Sequence, residues 1–164
     1  MSEQYSDLLD YIHQPDRAIQ ILGDRVAQSH YYGDYYKLGR MYQSAGRPKQ
    51  QWETTLQRAK TLLEETIAAN SLDANAYSYL ALVETRLGSF KNALEASERA
   101  RQLAPNDPDV LYGTARMFAL QTVKAQALEY LGKAVERRFQ LSSILDMDFY
   151  NLRMEPEFQQ IVTR

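Results

Sequence analysis

Small and apolar residues recur along this chain at helical spacing. In the stretch LGSFKNALEASERARQLAPNDP, Leu87 to Pro108, Ala93 and Ala100 stand seven apart, about two helical turns, and so share one face. That face is small, and a small face lets a second helix approach closely. Sustained period-2 alternation and Asn-Gly hairpin turns are both absent from the sequence, so the signals of strand and hairpin are missing. The pattern predicts an all-α fold.

Glycine and proline, seven and five in number, punctuate the helical stretches. Asp73 is placed to N-cap a helix that runs to about Leu87 and is stopped by Gly88. Ser89 is placed to cap the next helix, to about Ala104, which PNDP ends. A further pair is predicted over Pro108–Leu120 and Val123–Arg138. An earlier pair is predicted over Tyr31–Ala45 and Pro48–Asn70, with Gly46 between them and Pro48 suited to a first helical turn. The pairs repeat each other. Tyr77 and Leu80-Ala81 line up 34 residues later with Leu111 and Thr114-Ala115. Ala93, Ser97 and Ala100 line up at the same offset with Ala127, Leu131 and Ala134.

A helix–turn–helix unit of period 34 resembles the tetratricopeptide repeat (TPR), whose pattern is W-x2-L-G-x2-Y, then A-x3-F, then P. The segment YYKLGRMY matches it best: Tyr35 stands for the aromatic, followed by Leu38-Gly39 and Tyr42. Gly46 and Gly88 fall at the family's inter-helix turn, Ala59 and Leu63 supply the second-helix half, and Pro105 supplies the terminal proline. Three matches in phase cover about 32–139. The resemblance implies an α-solenoid of antiparallel helix pairs, a right-handed superhelix with C-terminal capping helices. The expected organisation is a single TPR-like domain over 1–164: an N-terminal helical lead-in (1–30), a repeat with a lengthened second helix (31–72), two further repeats (73–107 and 108–139) and a C-terminal cap (140–164).

Within that frame Gly39, Ala81 and Ala115 let each first helix approach its partner, and Ala59, Ala93, Ala100, Ala127 and Ala134 do so within and between repeats. Larger side chains there would overpack, typically at 1–3 kcal/mol. Leu38, Leu80, Leu63 and Leu131 fill the remaining volume. Three departures stand out. The step from Leu38 to Leu80 is 42, eight more than the repeat, and the surplus falls in RPKQQWETT, before Ala59. If helical, it lengthens the second helix by about 12 Å. PDRAIQILGDRVAQ looks like an isolated second helix, through Ala18 and Leu22. After the last repeat, Phe149, Leu152, Phe158, Ile161 and Val162 are expected to cover the open end of the core, as terminal repeats of a solenoid require.

Composition narrows the function classes. A chain of 164 residues can bury roughly 70% of its unfolded surface. Lys and Arg total 19 against 21 Asp and Glu, a net charge of −2, which gives no footprint for a phosphate backbone. No nucleic-acid partner is expected. The absence of cysteine excludes disulfides, thiolate metal sites and cysteine nucleophiles. MSEQYSDLLDYIHQ has no basic start followed by an apolar run, and no apolar run approaches the ~20 residues of a membrane span. A cytoplasmic chain without a membrane partner is the expectation.

Catalytic constellations are missing too. His13 and His30 sit in no zinc-binding spacing and read as surface or helix-end residues. Asp146 and Asp148 begin like a calcium loop but lack its glycine and closing glutamate, so they read as solvated carboxylates between two helices. Glu64 and Glu65 are helical neighbours and cannot face each other. Gly-rich phosphate loops and nucleophile elbows are absent. The expectation is a non-enzyme with no cofactor and no metal.

The resemblance offers a groove instead. In the family the first helices line a concave surface that takes an extended or helical segment of another protein. Carried over by position, the groove residues are Tyr36, Lys37 and Arg40, then Ser78, Tyr79 and Leu82, then Tyr112, Gly113 and Arg116, with Gln43 and Thr85 a turn further on. Aromatic and basic groups dominate, with no acid among them, and Tyr and Arg are anchor types. An acidic or C-terminal peptide with an apolar anchor is the expected ligand. The Lys/Asn clamp with which one branch of the family holds chaperone tails is not reproduced, since Tyr36, Arg40, Tyr79, Asp109 and Gly113 stand at the matching places. Arg40 and Arg116 still suit a carboxylate. Trp52, the sole tryptophan, extends the packing stripe of its helix and is either covered by N-terminal helices or a second partner surface. The function read from these features is a non-catalytic protein-binding adaptor. The alternatives are a self-assembling module that pairs with a second copy and a regulatory module of a larger signalling assembly.

Overall fold

The computed structural model describes residues 14–139 and 147–163. All regular structure among them is helical. The chain divides into two units, Met1–Glu65 and Thr66–Arg164.

In the first unit, α1 (Pro15–Gln28) opens with a proline in its first turn, where no backbone donor is lost. It packs on α2 (Tyr32–Ser44) through Ala18, Leu22, Leu38 and Met41, with Ile19, Val26 and Tyr42 against them. The Tyr35 hydroxyl donates to the Val26 carbonyl at 3.1 Å and ties the two helices. The following helix, α3 (Lys49–Ala69), runs for 21 residues where the other second helices have 13 or 14, so the surplus residues are helical. Gly39 shows why α2 needs a residue without a side chain. A Cβ there would stand 2.7 Å from Cγ and Cδ2 of Leu56.

The second unit holds two helix pairs and a C-terminal segment. In the first pair, α4 (Ala74–Arg86) is capped by Asp73, whose carboxylate accepts from the Ala76 amide at 2.9 Å. Its partner α5 (Phe90–Leu103) begins after Ser89, whose side chain makes no capping bond, contrary to expectation. The physical reason is its backbone: a ψ of 63° falls short of the extended value that turns a cap hydroxyl back over the first turn. In the next pair, α6 (Pro108–Leu120) is capped by Asp107, which accepts from the amides of Asp109 and Val110 at 2.9 and 3.1 Å. It is followed by α7 (Lys124–Glu136). Ala93, Ala100, Ala127 and Ala134 are wholly buried at the helix contacts, beside Ala115 and Leu131, whereas Leu80 is half-buried. Where Ser97 of α5 meets Thr114 of α6, the two hydroxyls share a hydrogen bond of 3.2 Å.

First helices end in the same way in each pair. The amide of Gly46, Gly88 or Thr122 bonds back three residues, and the next amide bonds back five, which closes the helix with one residue in the left-handed region. The φ values are 65°, 83° and 61°. Two of the three positions are glycine and the third is not. Arg138 closes α7 in the same manner at φ 66°.

After α7 come a 3-10 helix (Met147–Leu152) and α8 (Pro156–Val162). Phe149, Leu152, Phe158 and Ile161 join the core built from Leu111, Ala115, Ala127 and Leu131, with Val162 partly buried against it.

Candidate partner-binding face

The residues singled out by sequence fall on three first helices. On α2, Tyr36 is buried, Lys37 is exposed, and Arg40 and Gln43 are half-buried. On α4, Tyr79 is half-buried, while Ser78, Leu82 and Thr85 are buried. On α6, Tyr112, Gly113 and Arg116 are all buried. The structure brings the α4 and α6 sets together. A Cβ on Gly113 would stand 2.2 Å from the Ser78 Oγ, so the Ser78 hydroxyl rests in the space that a side chain at this position would take. Further along, the Thr85 hydroxyl donates to the Ala81 carbonyl at 2.8 Å and accepts from Gln121 Nε2 at 3.1 Å.

Much of this face in the second unit is occupied by the chain itself. The 3-10 helix places Asp148 between two arginines. One carboxylate oxygen accepts from Arg116 Nε at 2.8 Å and pairs with its Nη2 at 2.7 Å. The other pairs with Arg86, at the end of α4. The Asp148 side chain is 2% exposed. The reading of Asp148 as a solvated carboxylate is therefore overturned. Two guanidinium groups replace its water, and buried charge is tolerated only when paired and hydrogen-bonded in this way. Asp146 lies outside the described residues, as does His13.

Beside this ion triad, Phe149 and Phe139 converge on Tyr112. The Tyr112 ring stacks on Phe139 at 4.0 Å between centroids and meets Phe149 at 5.6 Å. The Arg116 guanidinium lies 5.8 Å from the Tyr112 centroid. Arg86, Gln121 and Asp148 are thus parts of the face that sequence reasoning missed. One signal pointed to them: a basic and aromatic row with no acid among its members needs an acid from elsewhere.

Other candidates fall outside this cluster. Trp52 is half-buried on α3, His30 is exposed between α1 and α2, and Glu64 and Glu65 are exposed. Among the described residues, no group of three His, Cys, Asp or Glu side chains is placed to hold a metal ion, and no helix is long and apolar enough to cross a membrane.

No protein-family model matches the sequence, and neither does any curated protein. Solved structures do match. TTC0263, a thermophilic TPR protein of Thermus thermophilus, aligns over 93% of this chain and 75% of its own, at 19% identity and a TM-score of 0.54. MamA aligns over 78% of this chain and 72% of its own, at 25% identity and a TM-score of 0.43. The fold is TPR-like: an all-α solenoid of antiparallel helix pairs.

Proposed function

We infer that the chain is a non-catalytic adaptor that binds a segment of another protein on the inner faces of its first helices. One observation carries this reading. Arg86, Arg116 and Tyr112 already hold an acidic residue followed by an aromatic one, the chain's own Asp148 and Phe149. The chemistry expected of a ligand, a carboxylate beside an apolar anchor, is the chemistry this face accepts. The same residue types recur on α2 as Tyr36, Lys37 and Arg40, with Gln43 one turn on. A partner segment of like composition is the ligand we assign to Lys37, Arg40 and Gln43, the members of the α2 row that keep surface open. Binding proceeds by shape and charge complementarity, with no bond made or broken and no cofactor.

A quantitative pull-down from the source cell's lysate tests this. It compares the native chain with a Lys37→Glu, Arg40→Glu variant of equal helicity. Arg116 stays unchanged, because its guanidinium already serves Asp148. A protein retained by the native chain and lost by the variant is the expected result. Equal recovery would overturn the α2 assignment and turn attention to Trp52.

A second reading, self-association, is favoured by Phe90 and Leu94. They lie one turn apart on α5 and are 51% and 43% exposed. Light scattering would then show a mass that rises with concentration and falls back in a Phe90→Ser, Leu94→Ser variant.

A further inference from the structure

Between the C-terminal half of α5 and α7 lies a pocket of about 450 Å³ that belongs to none of the surfaces above. Arg101, Tyr130, Lys133 and Arg137 wall it, with Pro105 and Leu111 supplying apolar surface. Two of these cations gather around one phenol. The Arg101 guanidinium carbon lies 5.0 Å from the Tyr130 centroid and the Lys133 ammonium 4.8 Å from it. Arg101 also donates to the Tyr130 hydroxyl. The ring is held from behind the cluster by Phe118, stacked at 5.8 Å.

Positive charge in this pocket is incompletely answered. Arg101 Nε is buried and has no hydrogen-bond partner among the described residues. A buried donor without an acceptor carries a cost. The Arg137 guanidinium is exposed and meets no acceptor among the described residues. Lys133 is hydrogen-bonded to Glu129, which raises its ammonium pKa above the ordinary lysine value. Glu136 also lines the wall. With Glu129 and Glu136 present, the local excess of positive charge is modest and suits a single negative charge better than a phosphate dianion.

The geometry points to a second docking site, distinct from the inner face, that takes an acidic peptide segment. Its carboxylate sits on Arg101 and Arg137, and an adjoining aliphatic side chain lies against Pro105, Leu111 and the Tyr130 ring. The volume accommodates two side chains and falls in the range of ordinary ligand pockets. An Arg fork over a carboxylate supplies direction, and the apolar wall supplies the rest of the contact.

Amide-resolved NMR titration of the whole chain tests the site with a capped peptide of alternating Glu and Leu. The expected result is saturable shifts centred on Tyr130, Lys133 and Arg137, with binding weakened about tenfold by Arg137→Glu, the loss of one charge-assisted hydrogen bond. Arg137 is exposed, so this variant leaves the core intact. The same charge change at Lys91, exposed at the start of α5, is expected to leave binding unchanged. Three results would each overturn the proposal: equal shifts with a Gln–Leu peptide, the same shifts from sodium acetate at matched carboxylate concentration, or equal weakening by Lys91→Glu and Arg137→Glu.

Discussion

The first and third repeats carry arginine at the same register, Arg40 on α2 and Arg116 on α6, and the two residues meet different fates. Arg116 is buried under a carboxylate delivered from 32 residues downstream. Arg40 is half-buried and keeps part of its surface open. Two of the matched positions at which the repeats differ bear on backbone and packing. Gly39 of the first stands where the third has Ala115, and Gly46 stands where the third has Thr122. One repeat motif therefore supports two solutions. The first relies on close helix approach and a glycine turn, while the third relies on a charged bolt from outside the repeat.

Breaking the bolt should have the largest effect. Asp148→Ala leaves two guanidinium groups without their carboxylate, and losing one side of a buried ion pair costs about 3–5 kcal/mol. Urea unfolding measures it, and a loss under ~1 kcal/mol would mean that water replaces the carboxylate at no cost. Next comes Gly39→Ala, which gives the first repeat the residue of the third. Its Cβ would press on Leu56, so the expected cost is about 1–3 kcal/mol by the same measurement. A neutral result would show that the Leu56 side chain swings clear.

The reverse exchange, Thr122→Gly, gives the third repeat the turn residue of the first. With φ at 61°, a β-branched side chain opposes the backbone, and its removal should raise stability by about 1 kcal/mol. An unchanged or lowered midpoint would show that the Thr122 side chain contributes more than its backbone costs. Smallest of all is Lys124→Ala. Lys124 joins the third repeat to Glu155 through an ion pair whose lysine is 54% exposed, so the change should stay within ~0.5 kcal/mol. A loss comparable to that of Asp148→Ala would erase the distinction between buried and exposed charge on which the comparison rests.

The sequence already discloses the helix pairs, their 34-residue register and the small residues at the contacts, because each is a local or periodic signal. Ala93 and Ala100 reveal their shared face by spacing alone. Capping is legible at Asp73, where the backbone is extended, and misleading at Ser89, where residue type is right and the dihedral is not. The Arg86–Asp148–Arg116 triad left no periodic trace, only a basic row that lacks an acid of its own. Its members are 62 and 32 positions apart, and an ion pair has no periodicity for a sequence to display. Asp148 reads as solvent-facing because it lacks the partners of a metal loop in its own stretch of chain. Its partners come from two distant helices.

The same separation has a consequence in time. On a ribosome adding ~5–20 residues per second, Arg86 is made roughly 3–12 s, and Arg116 roughly 2–6 s, before the carboxylate that joins them. Once α6 has been made, and until Asp148 follows, the guanidinium groups of α4 and α6 have no Asp148 to meet. A growing chain therefore passes through a stage in which this surface is open to any acidic segment nearby. The emergence of Asp148 and Phe149 from the exit tunnel is the event that ends it.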